Sequence, residues 1–162
     1  MILVNKNNFL TYNKKSYKCS VGINGLNKTK IEGDKSTPIG IFSLGNLYVR
    51  TDRIKNLKTH FNYTSISKKM AWSDDPNSKD YNKLIQVANY HKEMMHRNDN
   101  VYDLILVINY NIHPIIPSKG SAIFIHISKA NYSPTQGCIA LNRDDFKEIL
   151  TTLKPSDKIR IK

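Results

Sequence analysis

Residues Ser121 to Leu141 read SAIFIHISKANYSPTQGCIAL. The first third alternates: Ala122, Phe124 and His126 fall on one side of an extended chain, and Ile123, Ile125 and Ile127 on the other. That is the period of a strand with both faces occupied. The last third, Gln136-Gly137-Cys138-Ile139-Ala140-Leu141, is a glycine turn that places a cysteine at the head of another apolar run. A polar, proline-containing loop joins the two, so the runs can fold back and bring His126 to Cys138. A lone thiol is a poor nucleophile at neutral pH, and an imidazole that takes its proton makes it a good one. Glycine before the thiol leaves room for a substrate at the backbone, and consecutive N–H groups at such a turn can bind an oxyanion. Taken singly, each residue has a plainer reading: a cysteine among apolar residues is usually a small core hydrophobe. The combination makes Cys138, His126 and Gly137 the candidate catalytic residues.

Downstream, Asn142 is a good N-cap, and Phe146, Ile149, Leu150 and Leu153 form the apolar stripe of a helix packed on a sheet. Pro155 stops it, and Lys158 to Ile161 reads as a last strand. Upstream, Tyr102 to Tyr110 is a nearly continuous apolar run, expected to be a central strand, and His113-Pro114 and Pro117-Ser118-Lys119-Gly120 lead from it into the site. Near the start, Phe9 to Tyr12 and Tyr17 to Ile23 read as strands joined by a turn at Asn13-Lys14-Lys15. Residues 24–36 read as a loop, and Thr37 to Arg50 as one or two further strands. A short helix is expected around His91 to Arg97, where Glu93 and Arg97 stand four apart. About eight to ten strands with one helix after the cysteine predict a single mainly β domain over residues 1–162, a β-sandwich or open barrel.

These residues also resemble a known family. His126 followed by Thr135-Gln136-Gly137-Cys138-Ile139-Ala140 resembles the signature of the L,D-transpeptidase catalytic domain (the YkuD-type family): a histidine, a variable loop, then Ser/Thr-His-Gly-Cys and a hydrophobic residue. Gly33-Asp34-Lys35-Ser36-Thr37-Pro38-Ile39-Gly40-Ile41-Phe42 resembles the family's Gly-Asp…Thr-Pro-x-Gly-x-Phe segment. Trp72, Asp74-Asp75-Pro76, Tyr81-Asn82, and the series Glu93, Arg97, Tyr102-Asp103 resemble a short single-domain branch. The resemblance implies that Cys138 attacks the carbonyl of the L-centre of diaminopimelate in a peptidoglycan stem peptide and expels the terminal D-alanine. An amine or water then takes the acyl group. It further implies His126 as base, oriented by the Ile127 carbonyl or a neighbour, and the N–H groups of Gly137 and Cys138 as oxyanion hole. Thr135, Gln136, Arg97, Trp72 and Asp75 are the candidate substrate-binding residues, with Arg97 on a carboxylate as the resemblance implies. The acidic turn reads first as a solvated turn, and alternatively as orienting a partner residue or meeting a substrate ammonium. No cofactor is implied. Two departures stand out: Gln136 replaces the family's second histidine and Ala140 its polar or arginine residue, which leaves the acyl acceptor open.

The 162 residues carry a formal charge of +12, which favours polyanions in general. No arginine-rich or aromatic-interleaved tract points to nucleic acid, so the charge reads mainly as a solvated surface. A basic binding module without catalysis is the competing class. The two cysteines, Cys19 and Cys138, do not make a disulfide framework. Cys19 reads as a buried structural thiol, and a bridge to Cys138 would silence the nucleophile. Metal binding is not expected: His91 and His96 are five apart, and no histidine stands at ligand spacing from Asp74 and Asp75. The polar N-terminus lacks the apolar run of a secretory signal, and no stretch approaches the roughly 20 residues needed to span a bilayer. The expected location is therefore the cytoplasm, with a stem peptide or muropeptide as partner. That location favours L,D-carboxypeptidase activity in muropeptide recycling. Periplasmic cross-linking after export by an unrecognised route is the alternative.

Overall fold

A computed structural model describes residues 1–89 and 93–162 of the chain. Among these residues the elements are β1 (Ile2–Asn5), β2 (Phe9–Tyr12), β3 (Lys15–Ser20), β4 (Leu26–Asn27), β5 (Thr37–Pro38), β6 (Gly40–Val49) and β7 (Tyr63–Ser65). There follow β8 (Met70–Trp72), β9 (Leu84–Gln86), β10 (Leu104–Ile108), β11 (Phe124–Ile127), β12 (Ile139–Leu141), α1 (Arg143–Leu150) and β13 (Lys158–Ile161). The main sheet runs β10-β11-β12-β3-β2-β1-β13-β6, and β6 also pairs with β10, so the sheet closes into a barrel with β7 attached to β6. The mainly β expectation holds in its barrel form, closed rather than open. The length of β6 allows the closure: Gly40 to Ser43 pair with β13, and Leu44 to Val49 pair with β10.

Local chemistry explains the elements. β2 and β3 turn over Asn13 and Lys14, both left-handed (φ 47 and 63), as a two-residue hairpin requires. β3 ends at Ser20, short of the expected Ile23, because Gly22 leaves the ladder to bridge Thr135 and donate to the Thr37 hydroxyl. The Asn142 side chain caps α1 by accepting from the Asp144 amide at 2.8 Å, and Phe146, Ile149 and Leu150 are buried beneath it. The helix expected around His91 to Arg97 lies partly outside the described residues. Its described part, from Glu93, is not helical: Met94 bridges Ala71, and the Met95 amide donates to the Met70 carbonyl at 2.9 Å. Met95 is wholly buried, so packing overrides the helical spacing.

β10 separates two apolar layers. Leu104, Leu106 and Ile108 join the barrel interior, to which every strand of the ring contributes, while Ile105 and Val107 join an outer layer with Tyr48, Ile66, Met70, Trp72, Met95 and Phe124. β11 and the residue before it divide the same way, with Ile123, Ile125 and Ile127 inside and Phe124 outside, so the alternation read from the sequence holds. Cys138 packs against the outer layer. The candidate site therefore lies outside the barrel, between its wall and the covering segment that carries β8 and β9.

Candidate active site

β11 and β12 run parallel, with His126 opposite Ala140. Cys138 stands two residues before Ala140, so it shares the face of His126 as its diagonal neighbour. The imidazole Nδ1 lies 2.9 Å from the Ile127 carbonyl, which can only accept. Nδ1 therefore holds the proton and Nε2 the basic lone pair. The edge of Tyr102 packs on the ring, with centroids 5.4 Å apart. Burial holds His126 down to about 4, outweighing the opposing pull of the Ile127 carbonyl. Burial likewise pushes Cys138 up to about 12, against weaker pulls from the Phe124 backbone and the Lys30 ammonium. Both groups are neutral at rest, so the expected lowering of the thiol by His126 is not found. Nor are the two hydrogen-bonded to each other: Sγ donates to the Ala122 carbonyl at 3.2 Å. Ala122 offers that carbonyl from a left-handed backbone (φ 53), a conformation costing about 1–3 kcal/mol. The buried Asn82 holds it there, accepting from the Ala122 amide and the Trp72 indole, both at 3.0 Å.

The cysteine turn is braced from the second quoted segment. The Thr37 hydroxyl donates to the Gly137 carbonyl and accepts from the Gly22 amide, both at 2.8 Å. Gly137 adopts φ 136, and a Cβ there would stand 2.8 Å from the Ser36 carbonyl oxygen; no other residue fits. The Thr135 hydroxyl donates to the Cys138 carbonyl at 2.6 Å and accepts from the Gly137 amide at 3.1 Å. Of the two N–H groups expected to form the oxyanion hole, that of Gly137 is thus engaged with Thr135.

The family model of the YkuD L,D-transpeptidase catalytic domain matches residues 1–161. The chain belongs to this L,D-transpeptidase family. No curated protein matches it significantly. Among solved structures it is similar to the helical cell shape determining protein Pgp2 from Campylobacter jejuni, at 17% identity and a TM-score of 0.45, covering 99% of this chain and 46% of that one. It is also similar to an L,D-transpeptidase from Mycobacterium smegmatis (11% identity, TM-score 0.44, 99% and 57% covered). A third is L,D-transpeptidase 1 of Mycobacterium tuberculosis (12% identity, TM-score 0.42, 99% and 60% covered). The chain thus spans from about half to three-fifths of the length of these structures.

In this L,D-transpeptidase domain, Cys138 opens on a cavity of about 220 Å³. Of the expected binding residues, Gln136 and Arg97 line it. Arg97 lies over the Tyr102 ring and pairs with Asp99 at 2.6 Å rather than with Glu93. The other three do not line it. Trp72 is buried and packs edge-on against Phe124 at 5.1 Å, bordering a separate groove. Asp75 is exposed and accepts from the Asn77 amide in its own turn; its neighbour Asp74 lines the cavity. Thr135 holds the cysteine turn and does not line the cavity. Cys19 and Cys138 are both free; Cys19 is buried inside the barrel and Cys138 lies outside it, so no bridge forms. Two cavity residues were not read from the sequence: Lys30 and Glu32. Glu32 accepts from the hydroxyls of Tyr81 and Ser121. Both precede Gly33-Asp34 in a polar loop without periodicity, and only the neighbouring landmark hinted at them.

Proposed function

We propose that this domain is an L,D-carboxypeptidase that releases the terminal D-alanine from a peptidoglycan stem peptide through a Cys138 acyl-enzyme. The observation that carries the reading is the mixed charge of the Cys138 cavity. Lys30 and Arg97 supply cations, and Glu32, Asp74 and Glu93 supply carboxylates. Such a wall suits an end group bearing both an ammonium and a carboxylate, as diaminopimelate does. A basic binding module for polyanions would need no carboxylates there.

In the proposed reaction, His126 Nε2 takes the thiol proton as Sγ forms its bond to the carbonyl carbon, because the neutral resting pair must ionise during attack. The same nitrogen returns the proton to the leaving amine as the C–N bond breaks. Water, deprotonated in turn by Nε2, then releases the acid. Water is the proposed acceptor because a domain acting on recycled muropeptides would meet no polymeric wall to supply a second stem. The proposed setting is the recycling of muropeptides in the cytoplasm, which fractionation of the native protein tests.

The test is incubation with a purified tetrapeptide muropeptide, with and without an amine acceptor, followed by mass analysis. D-Alanine release and a tripeptide product are expected in both, and neither with Cys138→Ala. A cross-linked dimer as main product would replace the carboxypeptidase reading with transpeptidation.

A further inference from the structure

Lys30 is buried, at 5% exposure, with its ammonium on the wall of the Cys138 cavity. Two near-contacts locate it: a Cβ on Gly120 would come within 2.8 Å of its Cε, and a Cβ on Gly137 within 3.5 Å of its Nζ. The charge therefore stands at the turn that presents the thiol. Nζ carries three N–H donors, and one goes to Asp34 Oδ1 at 2.7 Å. Among the described residues the other two have no acceptor. Pinning the loop does not explain the lysine. Asp34 already accepts from the Ser36 amide at 2.9 Å, the Ser36 hydroxyl at 2.7 Å and the Ile31 amide at 3.1 Å. Burying an ammonium is costly, and such a group serves best where negative charge arises. The neighbouring chemistry has a use for it: of the two N–H groups expected to meet an oxyanion, that of Gly137 is committed to Thr135. Arg97, the cavity's other cation, is half-exposed and spends two donors on Asp99.

We infer that Lys30 is a catalytic residue whose ammonium stabilises the negative charge of attack, first on Cys138 sulfur and then on the carbonyl oxygen. This rests on the acyl-transfer reading above. As the Sγ–C bond forms, the thiol proton passes to His126 Nε2 and the carbonyl π pair moves onto oxygen, where the two free N–H groups of Lys30 receive it. When the C–N bond breaks, the pair returns to the carbonyl and His126 protonates the amine. Asp34 is a positioning residue, holding Nζ in place without reaching the cavity.

The test uses Lys30→Met, and Lys30→Met with Asp34→Asn so that no unpaired carboxylate is left in the loop. The first arm is the rate of Cys138 alkylation by iodoacetamide near pH 8. Loss of a neighbouring positive charge should slow it about tenfold or more, whereas a merely loosened site alkylates faster. The second arm is D-alanine release from the tetrapeptide muropeptide, where kcat should fall about 10²–10³-fold with KM little changed. An unchanged or faster alkylation in both variants overturns the inference. So does a raised KM at unchanged kcat, which would make Lys30 an anchor for a substrate carboxylate. If the unsubstituted protein releases no D-alanine, the stem-peptide reading fails, and the alkylation arm alone decides Lys30.

Discussion

At the scale of single residues, the two cysteines are the same group in two environments. Burial pushes each thiol up to about 12, so reactivity is decided by access. Cys19 is 1% exposed inside the barrel, while Cys138 faces the cavity. Alkylation at mildly alkaline pH should therefore modify Cys138 first and abolish turnover, as peptide mapping of the labelled protein will check; labelling at Cys19 with activity intact would reverse the assignment. His126 gives a stability signature. Its folded value is about 4 against an ordinary 6.5, so between those values the unfolded chain binds more protons. Its contribution, about 3 kcal/mol, is complete above about pH 6.5 and is lost as the pH falls toward 4. Replacing His126 by Gln should flatten that window in melting experiments at about pH 7 and about pH 5. Asp34 acts lower: burial alone would raise it, but hydrogen bonds from Lys30, Ser36 and Ile31 hold it well below the usual carboxylate range. Its share is therefore complete above the usual carboxylate range and is lost progressively as the pH falls through that range toward the folded value.

At the scale of elements, the site is made where β5 and β12 meet through one hydroxyl. Thr37 is wholly buried and joins the Gly137 carbonyl to the Gly22 amide. Thr37→Val keeps the shape and removes both bonds, leaving two buried polar groups unsatisfied. A loss of about 1–3 kcal/mol is expected, with slower D-alanine release as the cysteine turn relaxes; unchanged melting and kinetics would show that the turn stands without the brace. These elements also show what was legible in sequence. Strict alternation in β11 and the i, i+3, i+4 stripe of α1 are local signals, and both elements formed where read, although α1 ends at Leu150, before the Leu153 and Pro155 expected to close it. The Nδ1 partner of His126 was legible too, because a strand carbonyl lies beside it. The Asn82–Ala122–Cys138 chain and the approach of Lys30 were not, since contacts across 40 or 100 residues leave no period. The acidic turn was found, but Asp74 rather than Asp75 lines the cavity, since Asp75 accepts from Asn77 within its own turn.

At the scale of the molecule, the site lies between two apolar layers of unequal size. The barrel wall is closed by β6 and filled by the larger apolar layer, whereas the cover rests on a smaller one centred on Trp72, Met95 and Phe124. Glu93 and Asp74, which line the cavity, belong to the cover; Cys138 and His126 belong to the wall. Structures divided in this way open in parts, with the smaller unit opening at lower free energy. Amides of the cover, such as Met95 bonded to Met70 and Val87 bonded to Lys69, should exchange through a partial opening that leaves Ile105 and Leu106 protected. Trp72→Ala removes the largest side chain of the smaller layer, and large-to-small changes of this kind cost about 3–5 kcal/mol. That loss subtracts from the partial and the global opening alike, but the partial one starts lower and reaches zero first. The variant should keep a protected barrel, expose the Met95 and Val87 amides, and lose turnover because half of the cavity wall has left Cys138. Hydrogen exchange read by NMR checks this. If cover and barrel amides lose protection together, the two form one cooperative unit, and the cavity cannot open without unfolding the fold that carries it.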